Sequence, residues 1–404
     1  MRKMSFVKGI IAVLGIVLIA NGCGLFSKQE KQSEIDQVLV SSVVKIKKSA
    51  SELKDYNHFP RRIFKDSTHW NCVMVKDWCS GFWPGVLWYA YEFSGDEDIK
   101  KQAELFTAPI QEIAYSPAND HDIGFQVYCS YGNGYRLTGN PEYKEIMLAA
   151  ADTLATLYNP IVGSIHSWPS NKNYPHNTII DNMMNLELLF WAAKNGGEQR
   201  LKEIAISHAE VTMKHIVRPD YSAFHLGSFD AETGAFIEGK THQGYADNSM
   251  WARGQTWGIY GFAIAYRESG KKEFLTTSMK MADKFLERLP EDGIPYWDFD
   301  APVTSETPKD ASAAAVAACG MLELYQLIDD EAAKNKYREA ATSLLQILSS
   351  PKYLSGDKNQ AILLHSTGHK PKNKEVDVPI IYADYYYLEA LLKLKKIEAG
   401  QVID

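Results

Sequence analysis

Positive charge, cysteine and long apolar runs are all scarce in this chain, and each shortage narrows what it can be. Asp and Glu number 50 against 43 Lys and Arg, a formal net charge of −7. That balance argues against nucleic acid or a membrane surface as a general partner. Any anionic ligand has to be drawn by local Arg, Lys and His groups. Only 5 cysteines occur in 404 residues. None has zinc-site spacing, and His365 and His369 flank a Ser-Thr-Gly segment that argues against the helix needed to put both on one face. No metal and no cofactor is expected. Cys72 and Cys79 are the one pair close in sequence; an exported protein can oxidise them, and buried free thiols are an equal alternative.

The apolar run Gly9–Ala20 is short for a membrane span. Behind Arg2, Lys3 and Lys8 it has the length of a signal h-region. Ala20-Asn21-Gly22-Cys23 then resembles a lipoprotein processing site in which Cys23 becomes the lipidated first residue, although Asn21 departs from the usual pattern. An ordinary secretory signal is the alternative. Residues 1–22 are expected to be a signal peptide, 23–32 a tether and 33–404 a single domain. The chain is expected to be exported, touching a membrane only through its lipid.

Alternating strand patterns are also few. Helical periodicity predicts twelve segments: about 33–53, 80–93, 95–114, 122–138, 141–157, 178–194, 198–216, 251–268, 272–289, 310–327, 331–349 and 384–397. Segments such as Gly81–Tyr91, Trp251–Tyr266 and Ala311–Leu327 are apolar nearly all round, while their partners are amphipathic. Short polar turns follow most apolar helices and long loops precede them. An all-α (α/α)6 barrel fits, six hairpins with inner and outer rings. An open superhelix is the other option, but no strict period supports it.

Within that barrel the starts of the inner helices converge on one mouth, bringing Asp122, Asp181, Arg253 and Asp310 together. The long loops around it carry Trp168, His176, His225, His242 and Gln243. Asp122 and Asp181 each open an apolar helix beside a histidine or an asparagine. A lone Asp there is most simply an N-cap. Its recurrence suits paired carboxylates doing acid/base work on a sugar. Aromatic residues make up 12% of the chain; beyond core packing, such rings stack on pyranose faces.

Several motifs taken in order carry a resemblance: His121-Asp122-Ile-Gly-Phe, Ile180-Asp181-Asn182-Met-Met-Asn185, His242-Gln243-Gly-Tyr, Trp251-Ala-Arg253-Gly-Gln-Thr-Trp257-Gly and Val378-Pro-Ile-Ile-Tyr-Ala-Asp384. Together they resemble the unsaturated glucuronyl hydrolases, glycoside hydrolase family 88. The resemblance implies an (α/α)6 barrel acting on lyase-generated oligosaccharides that end in a 4,5-unsaturated uronic acid. It implies that Asp181 protonates C4 and assists water addition at C5, after which the hemiketal opens and the glycosidic bond is lost. Asp122 is implied as the second essential carboxylate, holding hydroxyls and tuning Asp181.

A proton on Asp181 near neutral pH requires its pKa to rise from ~3.9. A helix N-terminus opposes that; burial and a neighbouring carboxylate favour it. The account needs the two carboxyl groups within roughly a Debye length, ~10 Å. Arg253 is expected to meet the uronate carboxylate, with a structural ion pair as its alternative. Trp257 is expected to stack on a sugar, with core packing as its alternative. His121, His225, His242 and Gln243 are candidates to contact the uronate or the water, and Trp83 and Trp168 to wall the site. Leu364–Lys370 is a place where sulfate could be met, or an ordinary polar loop. Glycosaminoglycan fragments are the expected substrate. Alternatives are an unsaturated rhamnogalacturonyl hydrolase, a non-catalytic glycan-capture lipoprotein and an epimerase.

Overall fold

Two kinds of helix build the molecule. Ala252–Ser269, Ala311–Leu327 and Ile381–Glu398 are buried without interruption from Ala252 to Ala265, Ala311 to Leu324 and Ile381 to Leu394. A helix enclosed on every side needs that composition. Lys272–Arg288 instead buries Phe274, Thr277, Ser278, Met281, Ala282 and Phe285, a single stripe at helical spacing.

The structure is a computed structural model describing residues 33–403. The expectations for 1–22, 23–32 and Cys23 lie outside the described residues. Glu34–Asp404 forms one compact unit. Its inner ring comprises Phe82–Ser94, a composite helix, Asn182–Lys194, Ala252–Ser269, Ala311–Leu327 and Ile381–Glu398. The composite runs Ile123–Val127, a π turn over Tyr128–Gly132, then Asn133–Thr138. Each inner helix packs on the next, and the last returns to the first. Glu34–Glu52, Glu97–Thr107, Pro141–Ala155, Gln199–His215, Lys272–Arg288 and Glu331–Leu348 form the outer ring. This is the expected (α/α)6 barrel. Inside it Arg267 joins Glu187 and Glu323, and Lys393 joins Glu323 and Glu389, linking four inner helices by buried charge.

Short turns end several inner helices through left-handed glycines: Gly95, Gly139 and Gly270 have φ of 65°, 66° and 74°. Outer helices start on capping side chains, such as Asp96, Asn140 and Asp330. The long loops hold small antiparallel sheets that the sequence pattern did not reveal. His58–Arg62 pairs with Asn71–Met74, and His176–Ile179, Leu226–Phe229 and Phe236–Lys240 form three strands in that order. The helix expected from 178 therefore begins at Asn182, because His176–Ile179 is drawn into strand pairing. The last helix begins at Ile381, three residues before its expected start.

One close approach fixes the mouth. A Cβ on Gly124 would lie 2.6 Å from Asn185 Cα, so the helices opening after Asp122 and Asp181 touch backbone to backbone. Asn185 Oδ1 also accepts from the Phe125 amide at 2.8 Å. Among the described residues no helix is long and apolar enough to cross a membrane.

Candidate active site

A cavity of about 1000 Å³ opens at the mouth where inner helices begin. Its floor carries Asp122 and Asp181, and its lining includes His121, Trp168, His242, Gln243 and Arg253. Both aspartates occupy the position preceding a helix, yet neither side chain caps it. Asp310, at the equivalent place, does cap its helix by accepting from the Ser312 amide. The simple N-cap explanation therefore holds for Asp310 and fails for the other two.

Asp181 is almost enclosed, and burial pushes its pKa up to about 7 against the lowering influence of the Arg253 charge. Asp122 is driven well above the ordinary carboxylate range, first by burial, then by the charges of Asp120 and Asp181. The tuning thus runs opposite to the expectation: enclosure raises Asp181 without help from Asp122, and it is the charge on Asp181 that raises Asp122.

The histidines beside them are neutral and have fixed tautomers. His225 Nδ1 accepts from the amides of His242 and Gln243 at 3.0 and 3.1 Å. Its proton therefore sits on Nε2, which faces Asp181 Oδ1 at 3.6 Å. Burial holds His225 well below its usual pKa. His121 Nδ1 meets the Ser167 carbonyl at 3.1 Å, an acceptor that requires N–H there. The bare Nε2 lies 3.3 Å from Asp122 Oδ1, which suits a carboxyl that keeps its proton.

Trp168 stands over this group, its ring 5.2 Å from His242, 6.0 Å from His225 and 6.1 Å from His121. His242 in turn accepts from Lys372. Gln243 donates to the Gly368 carbonyl at 3.0 Å, tying the 242–243 loop to the last one.

Two expected contacts are corrected. Trp257 is wholly buried, packed between Phe125 and Tyr386, and does not line the cleft. Its buried indole N–H is near enough to Asp181 to favour the anion, without making a full hydrogen bond. Trp83 is also core, edge-on to Phe106 and outside the cleft. Both lie on inner helices with their rings turned into the packed core and away from the cleft.

Arg253 reaches the cleft wall with its fork occupied. It donates to Asp310 at 2.6 Å and to the carbonyls of Thr367 and Gly368 at 2.6 and 2.8 Å, stacked between Trp251 and Tyr382. It is a buried structural ion pair that also sets the field at Asp181. Asp310 and Arg253 thus pin the last long loop to two inner helices.

Several lining groups were not assigned from the sequence; as a ligand contact, His369 was named only as part of the Leu364–Lys370 run. Trp78 and Tyr382 pair at 5.1 Å, tilted by 34°, forming an aromatic wall. His369 lies 4.7 Å from His242 and has both ring nitrogens buried without a partner. Lys372 and Lys374 add positive charge at the rim. Their loop bends through positive φ at His365, Asn373, Glu375 and Asp377, and Arg61 and Arg62 hold Glu375 in place. Nothing in the sequence pattern announces that bend. The cysteines Cys72, Cys79, Cys129 and Cys319 are all free thiols. Among the described residues no cluster of His, Cys, Asp or Glu could hold a metal ion.

An (α/α)6 barrel whose mouth holds a carboxyl group titrating near neutrality under an aromatic wall is an acid/base glycoside hydrolase. Specifically, the chain belongs to Glycosyl Hydrolase Family 88, matched over residues 45–403. It is 40% identical over 409 residues to an unsaturated glucuronyl hydrolase of Formosa agariphila, covering 98% of this chain and 99% of that one. It is 36% identical over 380 residues to an unsaturated chondroitin disaccharide hydrolase of Streptococcus pyogenes serotype M1, covering 92% and 94%. Among solved structures, an unsaturated glucuronyl hydrolase specific for heparin superposes with a TM-score of 0.86 at 39% identity, over 90% of this chain and 98% of that one.

Proposed function

We propose that the protein removes the 4,5-unsaturated uronic acid from the non-reducing end of lyase-generated glycosaminoglycan oligosaccharides. The observation that carries this is the Asp181 carboxyl, poised at about 7 in a cleft shared with Asp122. Protonated Asp181 delivers its proton to C4, and water adds at C5, giving its own proton back to the carboxylate. The product at C5 is a hemiketal. Its ring opens to a ketone at C5, leaving C1 as a hemiacetal that expels the aglycone alcohol and becomes an aldehyde. Water is consumed and no redox change occurs.

Asp122 holds substrate hydroxyls through the carboxyl oxygen not turned to His121. His225 and Trp168 orient the unsaturated ring, and His121, His242 and Gln243 shape the pocket around it. Lys372 and Lys374 supply the positive rim that a uronate needs on a chain of net charge −7. We also assign the chain to an exported lipoprotein, with Cys23 as the lipidated residue and the barrel outside the cytoplasm.

The test is a panel of lyase-cut disaccharides from glycosaminoglycans and pectin, read by loss of the double bond's ultraviolet absorbance. Turnover of glycosaminoglycan members, abolished by Asp181→Asn, is expected. Turnover confined to the pectin-derived members would replace this substrate class, and binding without any turnover would replace catalysis by capture.

A further inference from the structure

Trp168 walls the catalytic pair, yet its backbone belongs to no strand. The short strand Ser164–Ile165 ends before it, and a polar turn over 169–175 follows. Its amide and carbonyl are met by a side chain. Asn177 Oδ1 accepts from the Trp168 amide at 2.9 Å, and Asn177 Nδ2 donates to the Trp168 carbonyl at 3.1 Å. The side-chain amide thus pairs with residue 168 through both groups, as a neighbouring strand would through its backbone. Asn177 is itself firmly placed. It is fully buried on the strand His176–Ile179, which pairs with Leu226–Phe229, and its own carbonyl accepts from the Ser167 amide at 2.8 Å. Its amide nitrogen also meets His166 Nε2 at 3.0 Å, which leaves the proton of that ring on Nδ1. Burial, then the Lys172 charge, holds the His166 pKa below its usual value, so the ring stays an acceptor. A flipped amide would set oxygen against the Trp168 carbonyl and N–H against the Trp168 N–H, so its orientation is fixed.

We propose that Asn177 is a positioning residue for the reaction: by clamping the Trp168 backbone it holds the indole beside His121, His225 and His242, and so against the unsaturated ring on Asp181. The inference rests on the functional reading above, in which Trp168 orients that ring. Asn177 does not line the cleft, so its effect on the substrate passes through Trp168. A buried amide that only stabilised the sheet would be blind to whether residue 168 carries an indole. That difference is measurable.

The experiment is a double-mutant cycle on a lyase-cut disaccharide, recording kcat, KM and melting temperature for Asn177→Ala, Trp168→Ala and the pair. Asn177→Ala alone is expected to lower kcat/KM by roughly ten- to a hundredfold, as for a displaced positioning group. In the Trp168→Ala background the same substitution should change kcat/KM by no more than about twofold, while lowering the melting temperature in both backgrounds. Equal fold losses of kcat/KM in the two backgrounds overturn the clamp and leave Asn177 a stabilising group alone. Asn177→Asp covers the case in which the Ala variant fails to fold. A protonated carboxyl has the amide's shape, with one acceptor for the Trp168 amide and one O–H donor for its carbonyl, and burial favours that form. Its kcat/KM relative to wild type should approach parity at acid pH and fall as pH rises; a ratio that stays low at every pH overturns the clamp. A wild type that turns over no disaccharide overturns the functional reading instead. Calorimetric binding of the disaccharide to the same cycle built on Asp181→Asn protein then decides the clamp by the same criterion.

Discussion

His225 holds its Nε2–H toward Asp181 Oδ1 across 3.6 Å because its other nitrogen is committed to two backbone amides. The ring is thereby a fixed neutral donor at the acid. His225→Ala leaves both amides without their acceptor, which costs about 1–3 kcal/mol for a buried group. His225→Gln keeps an acceptor for at least one amide. We expect Gln to recover much of the lost melting temperature and little of the lost kcat. A variant that recovers both would show that His225 matters to the loop alone.

The pH profile should follow Asp181. The acid form is needed for proton delivery, and it persists up to about pH 7. The rate in kcat/KM is expected to be flat below that point on its alkaline side and then to fall tenfold per unit above it. Asp181→Asn should lower kcat by at least roughly 10²–10⁴, the range for a lost acid/base group, while the protein stays folded. An alkaline limb below pH 5.5 or above 8.5 would remove Asp181 from the proton-donating role.

Stability should respond to pH with two opposing slopes. The Asp181 pKa is raised from 3.8 to about 7, so the native state binds the extra proton between those values and loses stability as pH rises through them. His176 and His208 are lowered by burial to about 3, so the unfolded state binds the extra protons and stability is lost as pH falls from about 6.5 toward 3. Asp181→Asn isolates the first slope. Its unfolding free energy should match wild type near pH 4 and exceed it increasingly up to pH 7, by a few kcal/mol at ~1.4 per unit. A constant offset at every pH would mean that burial is not what strains this carboxyl.

Much of the barrel was legible because helix packing writes itself into composition. Lys272–Arg288 shows its buried stripe, and Ala311–Leu327 its lack of any polar face, before any coordinates are consulted. The same all-round burial hid the facing of Trp83 and Trp257, since a helix apolar on every side carries no period from which to read direction. Asp122 and Asp181 were found through their recurrence, whereas Trp78 and Tyr382 had only an aromatic ring next to a predicted mouth to mark them. The strand His176–Ile179 ran into the following apolar helix without a break in pattern. The bend at His365–Asp377 is held by Arg61, Arg62 and Arg253 from elsewhere in the chain, so no local reading could reach it.

Gly124 offers the sharpest test of how the two carboxylates are kept together. A methyl group there would sit 2.6 Å from both Asn185 Cα and Asn185 Oδ1. The Oδ1 could swing away, but Cα belongs to a helix buried in the inner ring and cannot. Gly124→Ala must therefore part the two helix starts, with an overpacking cost of about 1–3 kcal/mol. Separating Asp122 from Asp181 by even a fraction of an ångström disturbs the proton balance between them, so kcat should fall further than stability predicts. Adding Asn185→Ala removes the side-chain clash alone and also deprives the Phe125 amide of its acceptor. The double variant should be no more active than Gly124→Ala and less stable. Recovery of activity in the double variant would show that the Asn185 side chain, and not contact between backbones, sets the spacing of the pair.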